Sequence, residues 1–371
     1  MILHKKFDFF VLILFTLIIY YFLGISNDGF AYISLSKNIL NFDFYTIDQS
    51  LEVKYPLSYP FYITPFIEFF DLRIGLVMSS LFLYYIFYKQ ILFFNKSSLI
   101  SLIISLFFFK TFSNVGSESL FIVLILYIFI LIKKQSKNYL LISFIFLILL
   151  ETKYISLSIL PFISIYYLRK KNLKPTYYLI FILFFWALIK FFFLGTITGD
   201  GRSENTDSIL NISLHFLHLF DIDNIYYSFS VLILFVILLI KYEFKFDSLF
   251  LPFIILYSVL LFYSRVTTSF DMISPRFLSI CLILIILSFN FKSKYPYVIL
   301  FSSFITFFLI SDFKTGDNFF NVQKSLTENR YENVISGNKY LNNFSTNFFV
   351  SEKYNNNDSG KIIHLYSQKI N

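Results

Sequence analysis

What most constrains this chain is a succession of eleven apolar runs, at 7–25, 74–94, 99–112, 120–132, 139–150, 155–168, 177–194, 226–240, 249–263, 277–291 and 297–310, with polar connectors between them. A helix needs ~20 apolar residues, within about 17–25, to cross the hydrocarbon core of a bilayer. Several runs are shorter and must borrow polar flanks, tilt or re-enter. With 57% hydrophobic residues and a mean hydropathy of +0.69, the chain reads as an all-α polytopic membrane protein. About 11 transmembrane helices (roughly 9–13) are expected over residues 1–310, ahead of a small segment at 311–371.

Basic residues set the orientation. With the N-terminus in the cytoplasm, the connectors on that side hold Lys5, Lys6, Lys89, Lys96, Lys133, Lys134, Lys137, Arg169, Lys170, Lys171, Lys174, Lys241, Lys245, Lys292 and Lys294. The short connectors on the other side hold Lys110, Lys153, Arg265 and Arg276. The positive-inside rule then gives an odd number of spans, a cytoplasmic N-terminus and an extracytoplasmic tail, in an inner or plasma membrane. The same sorting accounts for the net charge of +8 without a nucleic-acid partner. The opening "MILHKKFDFFVLILFTLIIYYFLGIS" begins like a signal peptide, but its apolar run is long and no A-x-A-like site follows, so a retained signal anchor is expected. Cys281, the one cysteine, lies inside an apolar run, which excludes a disulfide framework and a thiolate metal site.

Three polar segments fall on the outer side: 26–73, 195–225 and 311–371. The first opens with "DGFAYISLSKNILN", whose Phe30, Ile33, Ile39 and Leu40 predict a partly amphipathic helix along the outer interface. It closes with "YPLSYPFYITPF", whose prolines are expected to break regular structure. The tail predicts a helix and two short strands, too few residues for a robust core of their own. No internal repeat is evident, which argues against a transporter built from duplicated halves.

Carboxylates at an apolar boundary are partly desolvated, which raises their basicity and suits a general base. Asp28 follows the first apolar run and opens a predicted helix, where an acid also serves as an N-cap. Glu118, in "SNVGSESLF", opens another, where the helix dipole favours a carboxylate. Lys153, Arg265 and Arg276 are cations on the outer face; each taken singly reads as a side chain reaching lipid phosphate, and together they would suit a phosphate-bearing lipid. His215 and His218 form H-x-x-H in an apolar context with no third ligand nearby, which favours an interfacial helix over a metal site. No glycine-rich phosphate loop, G-x-S-x-G or zinc-ligand cluster is present.

The order of these features resembles the GT-C superfamily of integral-membrane glycosyltransferases, which use polyprenyl-phosphate-linked sugars and include the protein O-mannosyltransferases and the aminoarabinose transferase of lipid A. The likeness is carried by "NDGFAYISLSKNIL" after the first span, "YPLSYPF" before the second, "SESLF" and "ETKYISLSILPF" at later spans, and "SPRFL" at a late one. It covers roughly 1–310. The family often has a second acid where this chain has Gly29, its Pro-Pro-Leu is here Tyr55-Pro56-Leu57, and Lys153 stands where Arg is common. Glu52 stands about one residue further from that element than the corresponding acid in the lipid A enzymes.

The resemblance implies transfer of a sugar, generally with inversion, from a polyprenyl phosphate to an extracytoplasmic glycolipid, glycan or protein. A lipid phosphate is already a good leaving group, so the chemistry asks for one base and several cations rather than the acid and base pair of most glycosidases. Asp28 is the expected base and Glu118 a second acid that positions the acceptor or a cation. Lys153, Arg265 and Arg276, with Glu52, are the expected substrate contacts. A divalent cation is compatible with these acids and is not required by them. A glycan polymerase or ligase of another membrane family and a lipid-linked sugar flippase are the alternatives; the last should bury ionisable residues in mid-span, for which the sequence offers Lys190.

Overall fold

The computed structural model describes residues 2–25, 27–47, 50–51, 53, 55–197, 207–215, 236, 240, 243–244, 249–268 and 275–290. The run at 297–310 and the tail at 311–371 lie outside the described residues, as does all but two residues of the run at 226–240. The described chain is mostly helical: α1 Ile2–Phe22, α2 Asn27–Ile39, α3 Ser58–Phe69, α4 Leu72–Asn95, α5 Ser98–Phe107, α6 Phe109–Ser113, α7 Ser117–Lys133, α8 Tyr139–Leu150, α9 Ile159–Arg169, α10 Lys174–Leu194, α11 Ile209–His215, α12 Phe250–Thr267 and α13 Pro275–Leu287. Among the described residues, α4, α10 and α12 are long and apolar enough to cross a membrane, while Phe7–Phe22, Ser98–Phe107, Tyr139–Leu150, Tyr154–Arg169 and Phe277–Leu287 are apolar but shorter.

Local chemistry explains where the helices differ from the runs. The run at 99–112 divides into α5 and α6 around Phe108. Within α5 the hydroxyls of Ser101 and Ser105 donate back to the carbonyls of Ser97 and Ser101, both at 2.7 Å, a pattern that bends a helix. The prolines of "YPLSYPFYITPF" do not prevent α3 from forming. Pro60 sits in the first turn, where its missing N–H has no partner in any case, and Pro65 lies four residues from the end. Asp71 then starts α4 by accepting from the Ile74 N–H at 2.9 Å.

The chain forms two compact units. Among the described residues, the first comprises 2–83 and 112–117. In it, strand β1 (Gly24–Ile25) lies parallel to a second strand, Asn114–Val115. α2 leaves directly from β1 and packs on α3, with the Thr64 hydroxyl 3.3 Å from the Ser36 carbonyl. Residues 31–36 are all buried, so α2 is enclosed on several sides rather than lying with one face on an interface. Its alternation of small and large side chains lets α3 close over the face that the sequence assigns to solvent.

Among the described residues, the second unit comprises 84–111 and 118–290. Its core is aromatic: Phe129, Phe162, Phe250 and Phe253 pack edge to face with centroids 5.3–5.7 Å apart. The two ends of this unit differ in chemistry. At one, Lys133 closes α7 with its ammonium 4.9 Å from the Phe94 ring and 5.1 Å from the Phe250 ring, a cation–π arrangement. At the other lie the first turn of α7, the residues after α8, the last turns of α10 and α12 and the first turn of α13. This grouping brings the connectors with sparse basic residues to one end and several lysine-rich ones to the other.

Candidate functional site

Asp28 lies in the first turn of α2, one residue inside the helix, where the exposed backbone N–H groups favour a carboxylate. Its setting is fixed by a close backbone approach. A Cβ built on Gly29 would stand 2.5 Å from the carbonyl oxygen of Val115, so only glycine fits there. A second acid beside Asp28 at this position is therefore excluded on steric grounds. Tyrosines hold the same region: the Tyr32 hydroxyl donates to Ser117 Oγ at 3.1 Å, and the Gly116 N–H donates to the Tyr59 hydroxyl at 3.2 Å. The chain then passes from Ser117 into α7.

In the second unit, Glu118 and Lys153 meet. Lys153 Nζ donates to Glu118 Oε1 at 2.7 Å, with side-chain exposures of 11% and 9%. The ammonium also stands 4.8 Å from the Phe277 ring and 6.0 Å from the Phe121 ring. Phe277 is fixed in turn, its carbonyl accepting from the buried Tyr257 hydroxyl at 2.9 Å. Three of the segments singled out in the sequence, "SESLF", "ETKY" and "SPRFL", thus share one end of this unit. Lys153 does not reach out to lipid, because a carboxylate and two rings hold it inward.

Arg265, in the last turn of α12, pairs with Asp207, on the connector before α11, and is likewise buried. Arg276 occupies the first turn of α13, immediately before Phe277, and its side chain lies outside the described residues. Glu52 and His218 also lie outside them; His215 ends α11. Among the described residues no three His, Cys, Asp or Glu side chains come together as metal ligands would.

A second buried pair was not legible as part of a site. Glu151 accepts from Lys190 Nζ at 3.0 Å and from the Trp186 indole N–H at 2.6 Å. Lys190 also donates to the Tyr154 hydroxyl at 2.8 Å. The chain leaves α8 at Glu151 and extends at Lys153 (φ −155°, ψ 129°) before a 3-10 turn at Tyr154–Ser158. Glu151 is thereby turned to α10 and Lys153 to α7. One signal in the sequence points to this pair: Trp186, the single tryptophan, and Lys190 stand at i and i+4 in an otherwise apolar helix, which puts both on one face.

Comparison of the chain with family models, with curated proteins and with solved structures found no match.

Proposed function

We propose that this chain is an integral-membrane glycosyltransferase that moves a sugar from a polyprenyl-phosphate donor to an extracytoplasmic acceptor, with its N-terminus in the cytoplasm. The observation that carries the reading is the buried Glu118–Lys153 pair, walled by Phe121 and by the first residue after Arg276. A cation held ready by a carboxylate, under aromatic cover and beside a further arginine-bearing helix start, suits a phosphate that gains charge as its sugar departs.

In the proposed reaction the acceptor oxygen forms a bond to the anomeric carbon as the bond to phosphate oxygen breaks, and the electron pair leaves with the lipid phosphate. Asp28 takes the acceptor's proton, an assignment made from the order of motifs. Lys153 transfers its hydrogen bond from Glu118 to the phosphate, and Glu118 is released to orient the acceptor. Arg265 and Arg276 add positive charge for the phosphate. No step here passes through a divalent cation.

The test is transfer by purified full-length protein from polyprenyl-phosphate monosaccharides to extracted envelope acceptors, followed by mass spectrometry. Transfer that is lost in Asp28→Asn and in Lys153→Met supports the reading. Consumption of lipid-linked oligosaccharide alone would make it a polymerase or ligase, and movement of labelled lipid without bond formation would make it a flippase.

A further inference from the structure

The turn after α8 carries a carboxylate and an ammonium two residues apart, each locked into a separate buried pair facing the opposite way. Glu151 is bound by two side chains of α10, Lys190 and Trp186, while Lys153 is bound by Glu118 of α7. The backbone between them is ordered chiefly from one side: the Thr152 hydroxyl donates to the Ile148 carbonyl at 2.7 Å, the Lys153 N–H to the Leu149 carbonyl at 2.9 Å, and the Ser156 hydroxyl to that same carbonyl at 2.8 Å. These bonds set the height of the turn on α8. Sideways, the turn is tied to α10 on both flanks of Lys153, by Glu151 and by the Tyr154 hydroxyl, which both meet Lys190.

We infer that the Glu151–Lys190 pair, with Trp186, is a positioning device that aims Lys153 at Glu118 and, on the function proposed above, at the donor phosphate. Lys190 bonds to Glu151 and to the Tyr154 hydroxyl, which flank the Thr152–Lys153 link on either side, so its influence on Lys153 runs through both ends of that link. Charge is needed on both partners because a restraint made across two helices near lipid is stronger when its hydrogen bonds are ionic. Lys190 is buried and Glu151 is 16% exposed, so little water competes for the pair.

The test uses the full-length protein in detergent and two readouts. The first is labelling of lysines by a water-soluble amine-reactive reagent, read by mass spectrometry. Glu151→Gln is expected to raise the labelling rate of Lys153 about tenfold, as loss of one charged hydrogen bond would, with Lys133 at the other end of the unit unchanged. Glu151→Gln/Lys190→Gln, which strands no charge, must show the same selective rise, and Glu151→Asp must restore most of the protection. Equal rises at Lys153 and Lys133 in both variants would mean general loosening and would overturn the inference, as would no rise at all.

The second readout is calorimetric binding of farnesyl phosphate. Glu151→Gln should weaken it about tenfold alone and less than about twofold in a Lys153→Met background, because residues acting through one group are not additive. Losses that multiply would overturn the positioning role. Selective labelling of Lys153 in a protein that binds no farnesyl phosphate would keep the positioning role and sink the proposed function instead.

Discussion

The Glu118–Lys153 pair gives a prediction that holds whatever the substrate proves to be. At 2.7 Å and an effective dielectric constant of about 20, the gross attraction is about 6 kcal/mol, from 332/(20 × 2.7). Most of this offsets the removal of both charges from water, so the pair as a whole contributes little net stability. Removing one partner is different, because it strands the other in a site about nine-tenths buried, at a cost of ~3–5 kcal/mol. An unfolding entropy of about 2.1 cal/mol/K per residue over 371 residues amounts to about 0.8 kcal/mol/K, which converts that cost to a fall of about 4–6 °C. Lys153→Met and Glu118→Gln should each lose about that much in a thermal scan of detergent-solubilised protein. The double variant, which strands nothing, should stay within about 2 °C of wild type. A double variant that falls by the sum of the two single losses would refute the coupling and with it the description of this end of the unit.

Three further outcomes are expected. Gly29→Ala should destabilise the protein by about 1–3 kcal/mol, since its Cβ meets a backbone carbonyl that cannot swing aside, and Gly29→Asp, which places a second acid beside Asp28, should be no better; a thermal scan checks both. Asp28→Asn should reduce sugar transfer about 10²- to 10⁴-fold with normal membrane insertion, and near-wild-type transfer would remove Asp28 from the mechanism. Burial in α2 holds the Lys37 ammonium below the usual lysine range. The folded state therefore binds fewer protons at Lys37 than the unfolded state, so its contribution to stability grows as pH rises from the depressed value toward 10.5. Lys37→Met should remove that part of the alkaline slope, seen as a difference between the two proteins in melting temperature against pH.

What the sequence made legible was set by local interactions. α8 spans the same residues as its apolar run because both ends carry their own signals: the Asn138 side chain accepts from the Leu141 N–H at 3.1 Å, and the chain turns at Glu151. α10 begins three residues before its run because Pro175 fits a first turn. The ion pairs were not legible, since Glu118 and Lys153 are 35 residues apart and only the packing of α7 against the end of α8 joins them. Each cation therefore read as a side chain bound for lipid. Gly29 is similar: nothing in its neighbours announces it, and its need arises from the Val115 carbonyl, 86 residues away in the chain, brought near by the pairing of Ile25 with Val115. The enclosure of α2 followed the same logic, because α3 covers a face whose fate no local pattern records.

The distribution of buried charge bears on which alternative the chain resists. The sequence offers one mid-span ionisable residue, Lys190, whereas the fold buries Glu118, Lys190 and Arg265 and half-buries Lys153. Such burial would suit a transport pathway if the charges were spread through the depth of the unit. They are not. Glu118 opens α7, Lys153 follows α8, Lys190 lies within the last turn or so of α10, and Arg265 stands 15 residues, about 22 Å of helix, beyond Phe250. Between that end and the rings around Lys133 lies the phenylalanine core, with no buried charge among the described residues. An ion or sugar phosphate crossing this unit would meet about 20 Å of packed apolar side chains, with no buried charge among the described residues to serve as a stepping stone. A reaction at one membrane face needs its charges at one level, partnered until a substrate exchanges them, and that is the arrangement these four residues have.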